Sequence, residues 1–406
     1  MKKLYLHVGY GKTGSSALQS WLATKTEELE ANGFDYKILD KNSINYNISS
    51  GNGAFLRAYL DNNCTEEELI NTYFSSDFDN VIISSETLEM DESRIKKLQS
   101  FLKRHSIEME VIAYLRNVYD CFYSTYVQGV KRGGLTASIL ESSNKINPMR
   151  HIDAAETYCS LIENIKFIHY DTHKADVALP FCIALGLDYS AIGEIHPTRV
   201  NRTLNKKEID VVKFFVEALR YKNEAKAGDV SRLISDYLVN TYKDIKSEVF
   251  VHSSILELFE KKYSSTISDF NSRIGHKHGI KIQLLDEKDP RLQWTNEHNT
   301  EEKLGLDREI VNTVFDLVID SRQKFNNLQL ANLSLALKTD FPGLARKVLD
   351  YINNVDLDAD ILRDSALALE GINIRHSAYL MELAHISRPD GTFINKKLKE
   401  YEANKK

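Results

Sequence analysis

The sequence predicts an α/β protein: a three-layer α/β/α domain around a central parallel sheet, followed by a mostly helical C-terminal region. Three observations carry this expectation. The first 190 residues or so alternate short apolar runs with segments of helical period. After about residue 200 the helical period continues almost to the end. Only 18 Gly and 6 Pro occur among 406 residues, about half the usual share of roughly 12%. That scarcity suits long helices and excludes a collagen-like or linker-rich chain.

The strand candidates are 4–8, 35–39, 81–84, 111–115 and 165–169. Each is short and mostly apolar, as strands covered on both faces of a parallel sheet must be. Between them, Leu18, Trp21, Leu22 and Leu29 fall near 3.6-residue spacing from Ser16 onward, and Ile95, Leu98 and Leu102 mark another helix. Thr65 and Glu68 form a capping-box pattern, since each can satisfy a free backbone amide at a helix start. Strand–helix–strand repetition implies right-handed crossovers in one open sheet. The run 41–53 is rich in Asn, Ser and Gly and reads as a long surface loop.

Further on, Val211, Val212, Phe214, Phe215 and Leu219 suggest one helix, and Ile255, Leu258, Phe259 and Tyr263 another. Helices are expected around 311–325, 328–337, 344–352, 361–369 and 377–386, the last ended by Pro389 and Gly391. The polar stretch 286–300 is the expected boundary. It divides an α/β domain over 1–290, with its motifs within 1–205, from a helical region over 300–406. Ser377, Ala384 and Pro389 resemble one unit of a tetratricopeptide-like hairpin.

Composition narrows the function. A net charge of −6 argues against a general nucleic-acid binder. The apolar run 4–8 is too short for a signal peptide, and 177–187, broken by Pro180 and Gly186, is too short to span a membrane. Cys64, Cys121, Cys159 and Cys182 stand far apart and read as buried, reduced thiols. No grouping of His, Cys and carboxylates has metal-ligand spacing. The expectation is a cytoplasmic protein that requires no metal.

The most informative segment is 4–8 followed by Gly9-Tyr10-Gly11-Lys12-Thr13-Gly14-Ser15-Ser16. A strand enters a glycine-rich loop and an amphipathic helix leaves it. Free backbone amides and the positive end of the helix dipole then aim at one point, a ready anion site. Lys12 adds a full charge; Thr13, Ser15 and Ser16 add hydroxyl donors. Gly9 and Gly14 have the G-x-x-x-x-G separation of a triphosphate-binding loop, but Ser15 stands where such an enzyme needs lysine. A lysine inside the loop suits a ligand with one phosphate and a reactive group attached to it.

This string resembles the sulfotransferase superfamily, in its bacterial-type, carbohydrate-sulfotransferase-like members, in which a loop similar to Gly11-Lys12-Thr13-Gly14-Ser15-Ser16 wraps a 5′-phosphosulfate. The resemblance implies a P-loop-like fold and the donor 3′-phosphoadenosine 5′-phosphosulfate (PAPS), released as adenosine 3′,5′-bisphosphate. A second family motif is an arginine ending a later strand with a serine eight residues on, the pair gripping the 3′-phosphate. Arg116 and Ser124 have that separation, and a strand-end guanidinium can bind a phosphate with two nitrogens.

Sulfuryl transfer to a hydroxyl needs the acceptor proton removed and the leaving phosphate stabilised, a positioning-plus-electrostatics task. Lys12 is the expected charge stabiliser. Glu86 is the expected base, because it directly follows the run 81–84 and so shares a sheet rim with Lys12 and Arg116, where open α/β sheets bind ligands. The alternative is that Ser85 caps a helix and Glu86 complements its dipole. His7 reads as a hydrogen-bonded structural histidine. Tyr170, in the resembled strand-end Tyr-Glu-Asp motif, is a candidate to approach the adenine, with Asp171 replacing the motif's Glu. His276 and His278 read as solvated.

The functional expectation is a PAPS-dependent sulfotransferase acting on a carbohydrate hydroxyl, on a glycan or glycolipid. Two alternatives stand beside it: a nucleotide kinase of the P-loop type, which the Ser15 position disfavours, and a non-catalytic nucleotide-binding scaffold with a helical partner-docking tail.

Overall fold

Five parallel strands, β1 (Lys3–Val8), β2 (Phe34–Asp35), β3 (Asn80–Ser85), β4 (Glu108–Leu115) and β5 (Ile165–His169), form one sheet in the order β2-β3-β1-β4-β5. The computed structural model describes residues 1–40, 43–44, 51–86, 88, 91–195, 202–220, 224–243, 251–289, 291, 305–325, 327–353, 358–370 and 374–403. β1 lies at the centre, with Leu6 beside Ile83 on one side and Val111 on the other. Its residues Leu4 to Val8 are buried, which is why the strand reads as an unbroken apolar run rather than an alternating one. One face packs Tyr5, Ile82, Ile112 and Tyr114 against Leu18, Trp21 and Leu22 of the helix Ser15–Thr24 and Phe181 of the helix Ala178–Leu185.

From β1 the chain leaves toward β3 and β2, whereas from β4 it leaves toward β5. These two strands are neighbours, so the direction of winding reverses between them. Their carboxyl ends therefore diverge around a crevice, the place where open α/β sheets bind ligands.

Other expectations resolve element by element. The capping box is present: Thr65 Oγ1 accepts from Glu68 N at 3.2 Å, and Thr65 N donates to Glu68 Oε2 at 2.8 Å, opening the helix Glu66–Tyr73. The helical period after Ser16 belongs to two helices, Ser15–Thr24 and Thr26–Ala31. The strand expected at 35–39 is limited to Phe34–Asp35, because Asn52 occupies the next stretch of the β3 edge. Asn52 N donates to Ser84 O at 3.0 Å, and its side chain bonds Ile82 O and Ser84 N. The rest of the loop read over 41–53 lies mostly outside the described residues. All four cysteines are free thiols, but only Cys182 is buried; the other three are partly exposed.

The chain divides into two compact units. The sheet unit comprises Met1–Tyr126, Ser138–Thr203 and Val249–Glu301; the helical unit comprises Val127–Ala137, Leu204–Glu248 and Glu302–Lys406. This corrects the single boundary expected within 286–300. The helix Lys206–Arg220 buries Val211, Val212, Phe215 and Leu219 among helices of the helical unit, Glu224–Thr241, Arg308–Asp320 and Asn327–Leu337. The helix Ser253–Phe270 instead packs Phe259 edge-on against Phe122 in the sheet unit. An apolar stripe says that a helix is covered, not by which neighbour.

Within the helical unit, Ala359–Leu369 and Ile374–Ser387 pack as a pair. Buried Ser377 Oγ donates to Ala366 O at 2.6 Å and contacts Tyr401 Oη at 2.8 Å. No helix among the described residues is long and apolar enough to cross a membrane.

Candidate functional site

The loop after β1 is shaped by local necessity. Gly9 N donates to Ser85 O at 2.9 Å, extending the β1–β3 pairing by one residue. A Cβ at Gly9 would lie 2.4 Å from Ser15 Oγ and 3.2 Å from Glu86 Cγ, so only glycine lets the loop pass this close to both. Lys12 and Gly14 both have φ of 77°, the left-handed region that costs a side-chain-bearing residue ~1–2 kcal/mol. Gly14 then caps the helix Ser15–Thr24, with Leu18 N bonding its carbonyl at 3.0 Å. The chain thus turns sharply from strand to helix, and the helix start brings its free backbone amides and the positive end of its dipole to the loop.

Of the three hydroxyls expected as ligand donors, two are hydrogen-bonded within the protein and the third, Ser15 Oγ, is buried without a hydrogen-bond partner among the described residues. Thr13 is buried and its Oγ1 donates to Tyr10 O at 2.5 Å, bracing the loop. Ser15 is buried beneath Gly9. Ser16 Oγ donates to Glu86 Oε1 at 3.3 Å. Of the loop, Gly11 is exposed and Lys12 partly exposed.

Glu86 stands directly after β3, as expected. Burial pushes its carboxyl above the ordinary glutamate range; the charge of Lys12 and the hydroxyls of Ser16 and Ser15 pull the other way without prevailing. The pull from Lys12 places an amine and a carboxyl within electrostatic reach of each other at one rim.

Arg116 ends β4 and reaches the same loop. Its Nη1 donates to Lys12 O at 2.9 Å, its Nε donates to Asp171 Oδ1 at 3.1 Å, and its guanidinium lies over the Tyr170 ring, 5.0 Å from the centroid. Its carbonyl accepts from His151 Nε2 at 2.7 Å. Tyr170 follows β5 and backs the loop as well, since a Cβ on Gly14 would fall 2.9 Å from Tyr170 Cε2. Lys12, Glu86 and Arg116 are therefore brought together from the ends of three adjacent strands. Ser124 is not joined to them: it lies partly exposed about two turns into the helix Val118–Gly133, and no hydrogen bond links it to Arg116.

Sequence reasoning missed the residues that tie this rim together. Asn117 is buried; its N donates to Asp171 Oδ2 at 2.8 Å, and its Oδ1 accepts from Gln283 N at 3.0 Å and pairs with His169 Nε2 at 3.1 Å. Arg291 forms a bidentate pair with Asp120 at 2.8 and 3.2 Å and also binds Asp289. Burial works against the Arg291 charge, and the two carboxylates more than offset it. The polar run read as the domain boundary thus contributes, through Asp289 and Arg291, to the sheet unit. The one local signal was the Asn after the strand-end arginine; its partners and the Asp120 partner of Arg291 lie 52 to 171 residues away and leave no local pattern.

His7 is fully buried, shares a hydrogen bond of 2.8 Å with Ser84 Oγ and stands edge-on to Tyr114 and Phe181. Burial lowers it to about 3, so it is a neutral structural residue. His278 departs from its reading as solvated: it packs edge-on against Phe167 at 4.9 Å and is partly buried, while His276 is exposed.

Compared with protein-family models, with curated proteins and with solved structures, the chain matches none of them.

Proposed function

We propose that this protein is a sulfotransferase that moves a sulfuryl group from PAPS to an acceptor hydroxyl, with the sheet unit as a P-loop-like three-layer domain holding the donor. One observation carries the reading: a loop amine, a partly buried carboxyl and a strand-end guanidinium converge where the winding of the sheet reverses. The site's chemistry suits such a donor. Backbone amides and Lys12 match a phosphosulfate, and Gly9 permits close backbone approach. Arg116 Nη2, the one guanidinium nitrogen with no hydrogen bond among the described residues, suits the 3′-phosphate, with Ser124 as its partner along the helix.

The donor supplies an activated sulfuryl group, and the chain's own residues do the rest. Glu86 takes the acceptor's proton. Its raised affinity for protons makes it a stronger base than a solvated carboxylate, provided it is ionised. Lys12 favours its ionised form and neutralises charge left on the phosphate oxygen. The acceptor is the hydroxyl of a glycan or glycolipid, as the resemblance implies.

The test is transfer of label from sulfate-labelled PAPS into a cell-envelope extract. Wild-type protein labels a saccharide component, and Lys12→Ala and Glu86→Gln do not. Absence of any labelled product, with tight binding of ATP and Mg²⁺ instead, selects the kinase reading.

A further inference from the structure

We infer that Asp171 is a positioning residue that locks Arg116 onto the carbonyl of Lys12 and so sets the shape of the anion-binding loop. The inference rests on the sulfotransferase reading only for what the loop binds; the lock itself is a matter of geometry. Asp171 bridges two groups, accepting from Arg116 Nε at 3.1 Å with one oxygen and from Asn117 N at 2.8 Å with the other. Both side chains are largely withdrawn from water, Arg116 at 15% and Asp171 at 10% exposure, where a charge-assisted pair is least screened. With Nε fixed and the plane resting on Tyr170, Nη1 meets Lys12 O at 2.9 Å.

That contact falls on the one non-glycine residue of the loop with a left-handed backbone. Such a residue persists only where its surroundings over-determine it. Arg116 supplies part of that restraint, and Tyr170, wedged beside Gly14, supplies another part. A rival reading of the same contacts is that Asp171 merely occupies Arg116 until a phosphate displaces it.

Asp171→Asn separates the two. Asparagine keeps the shape and an acceptor oxygen but loses the charge. If Asp171 positions, the loop loosens and ligand binding weakens. If Asp171 competes, removing its charge frees Arg116 and binding stays equal or tightens. The expected results are faster amide hydrogen exchange across residues 9–16 of the ligand-free full-length protein, and weaker calorimetric binding of adenosine 3′,5′-bisphosphate. Each change should be about ten-fold, the factor that corresponds to ~1.4 kcal/mol.

Arg116→Lys keeps the cation but cannot hold both partners, and it should loosen the same peptide; it gives the readout should Asp171→Asn fail to fold. Tyr170→Phe, which keeps the ring, should leave the exchange of that peptide as in the wild type. Unchanged exchange in both Asp171→Asn and Arg116→Lys, or equal or tighter binding in Asp171→Asn, overturns the inference. A wild-type protein that does not bind the bisphosphate counts against the sulfotransferase reading alone, because the exchange experiment needs no ligand.

Discussion

Replacing Gly14 by alanine separates backbone strain from packing at the centre of the site. Gly14 sits at φ 77°, ψ 11°, and left-handed backbone costs an L-residue ~1–2 kcal/mol. The added Cβ would also lie 2.9 Å from Tyr170 Cε2 and 2.9 Å from Val177 Cγ1. Neither neighbour is a free chain end: the Tyr170 ring carries the Arg116 guanidinium and Val177 is buried. Forcing an extra methyl into such packing adds ~1–3 kcal/mol, so the whole effect is about 2–5 kcal/mol. Gly11→Ala is the control in the same loop, with no atom within 4 Å of its Cβ, and it should stay within ~0.5 kcal/mol of wild type. Urea unfolding followed by circular dichroism gives both values from the shift in midpoint. Equal midpoints for Gly14→Ala and wild type, or an equal loss in both variants, would refute the reasoning.

Three further outcomes follow from the same structure. Glu86→Gln should abolish transfer and yet raise the melting temperature at neutral pH. Its folded-state pKa is raised by burial, so the stability it contributes is present in acid and is lost as pH rises through that value. The gain from Gln should vanish when both proteins are melted near pH 4, and a gain that persists there would contradict the sign. Lys12→Ala removes the strongest influence lowering Glu86, so the Glu86 carboxyl carbon should titrate at higher pH by NMR; an unmoved titration would mean that the amine does not act on it. Ser377→Ala removes a buried hydroxyl from Ala366 O and Tyr401 Oη, at a cost of ~1–3 kcal/mol, read as a lower urea midpoint; an unchanged midpoint would show that the pair holds nothing.

What the sequence disclosed follows from where its information lies. The loop of Gly9 to Ser16 is contiguous, so strand, turn and helix start could be read together. The sheet strands were legible because burial on both faces leaves unbroken apolar runs. The capping box was legible because its two residues are three apart. The short β2 was not, since the edge of β3 is completed by Asn52, 32 residues from the Ser84 amide that it accepts. The helices Glu224–Thr241 and Thr392–Ala403 also went unread. The first buries Ala227, Ser231 and Ser235 along with only a few large apolar residues, which dilutes its period. The site was half legible. Lys12, Glu86 and Arg116 stand at strand ends that a sequence displays, whereas the links made by Asp171, Asn117 and Arg291 exist only after folding.

The most direct measurement is a calorimetric titration of adenosine 3′,5′-bisphosphate into the full chain without Mg²⁺, repeated with Lys12→Ala. A sulfotransferase site predicts saturable binding by the wild type that weakens at least ten-fold (~1.4 kcal/mol) once the loop amine is gone. No heat in the wild type, or the same affinity in both proteins, would contradict it.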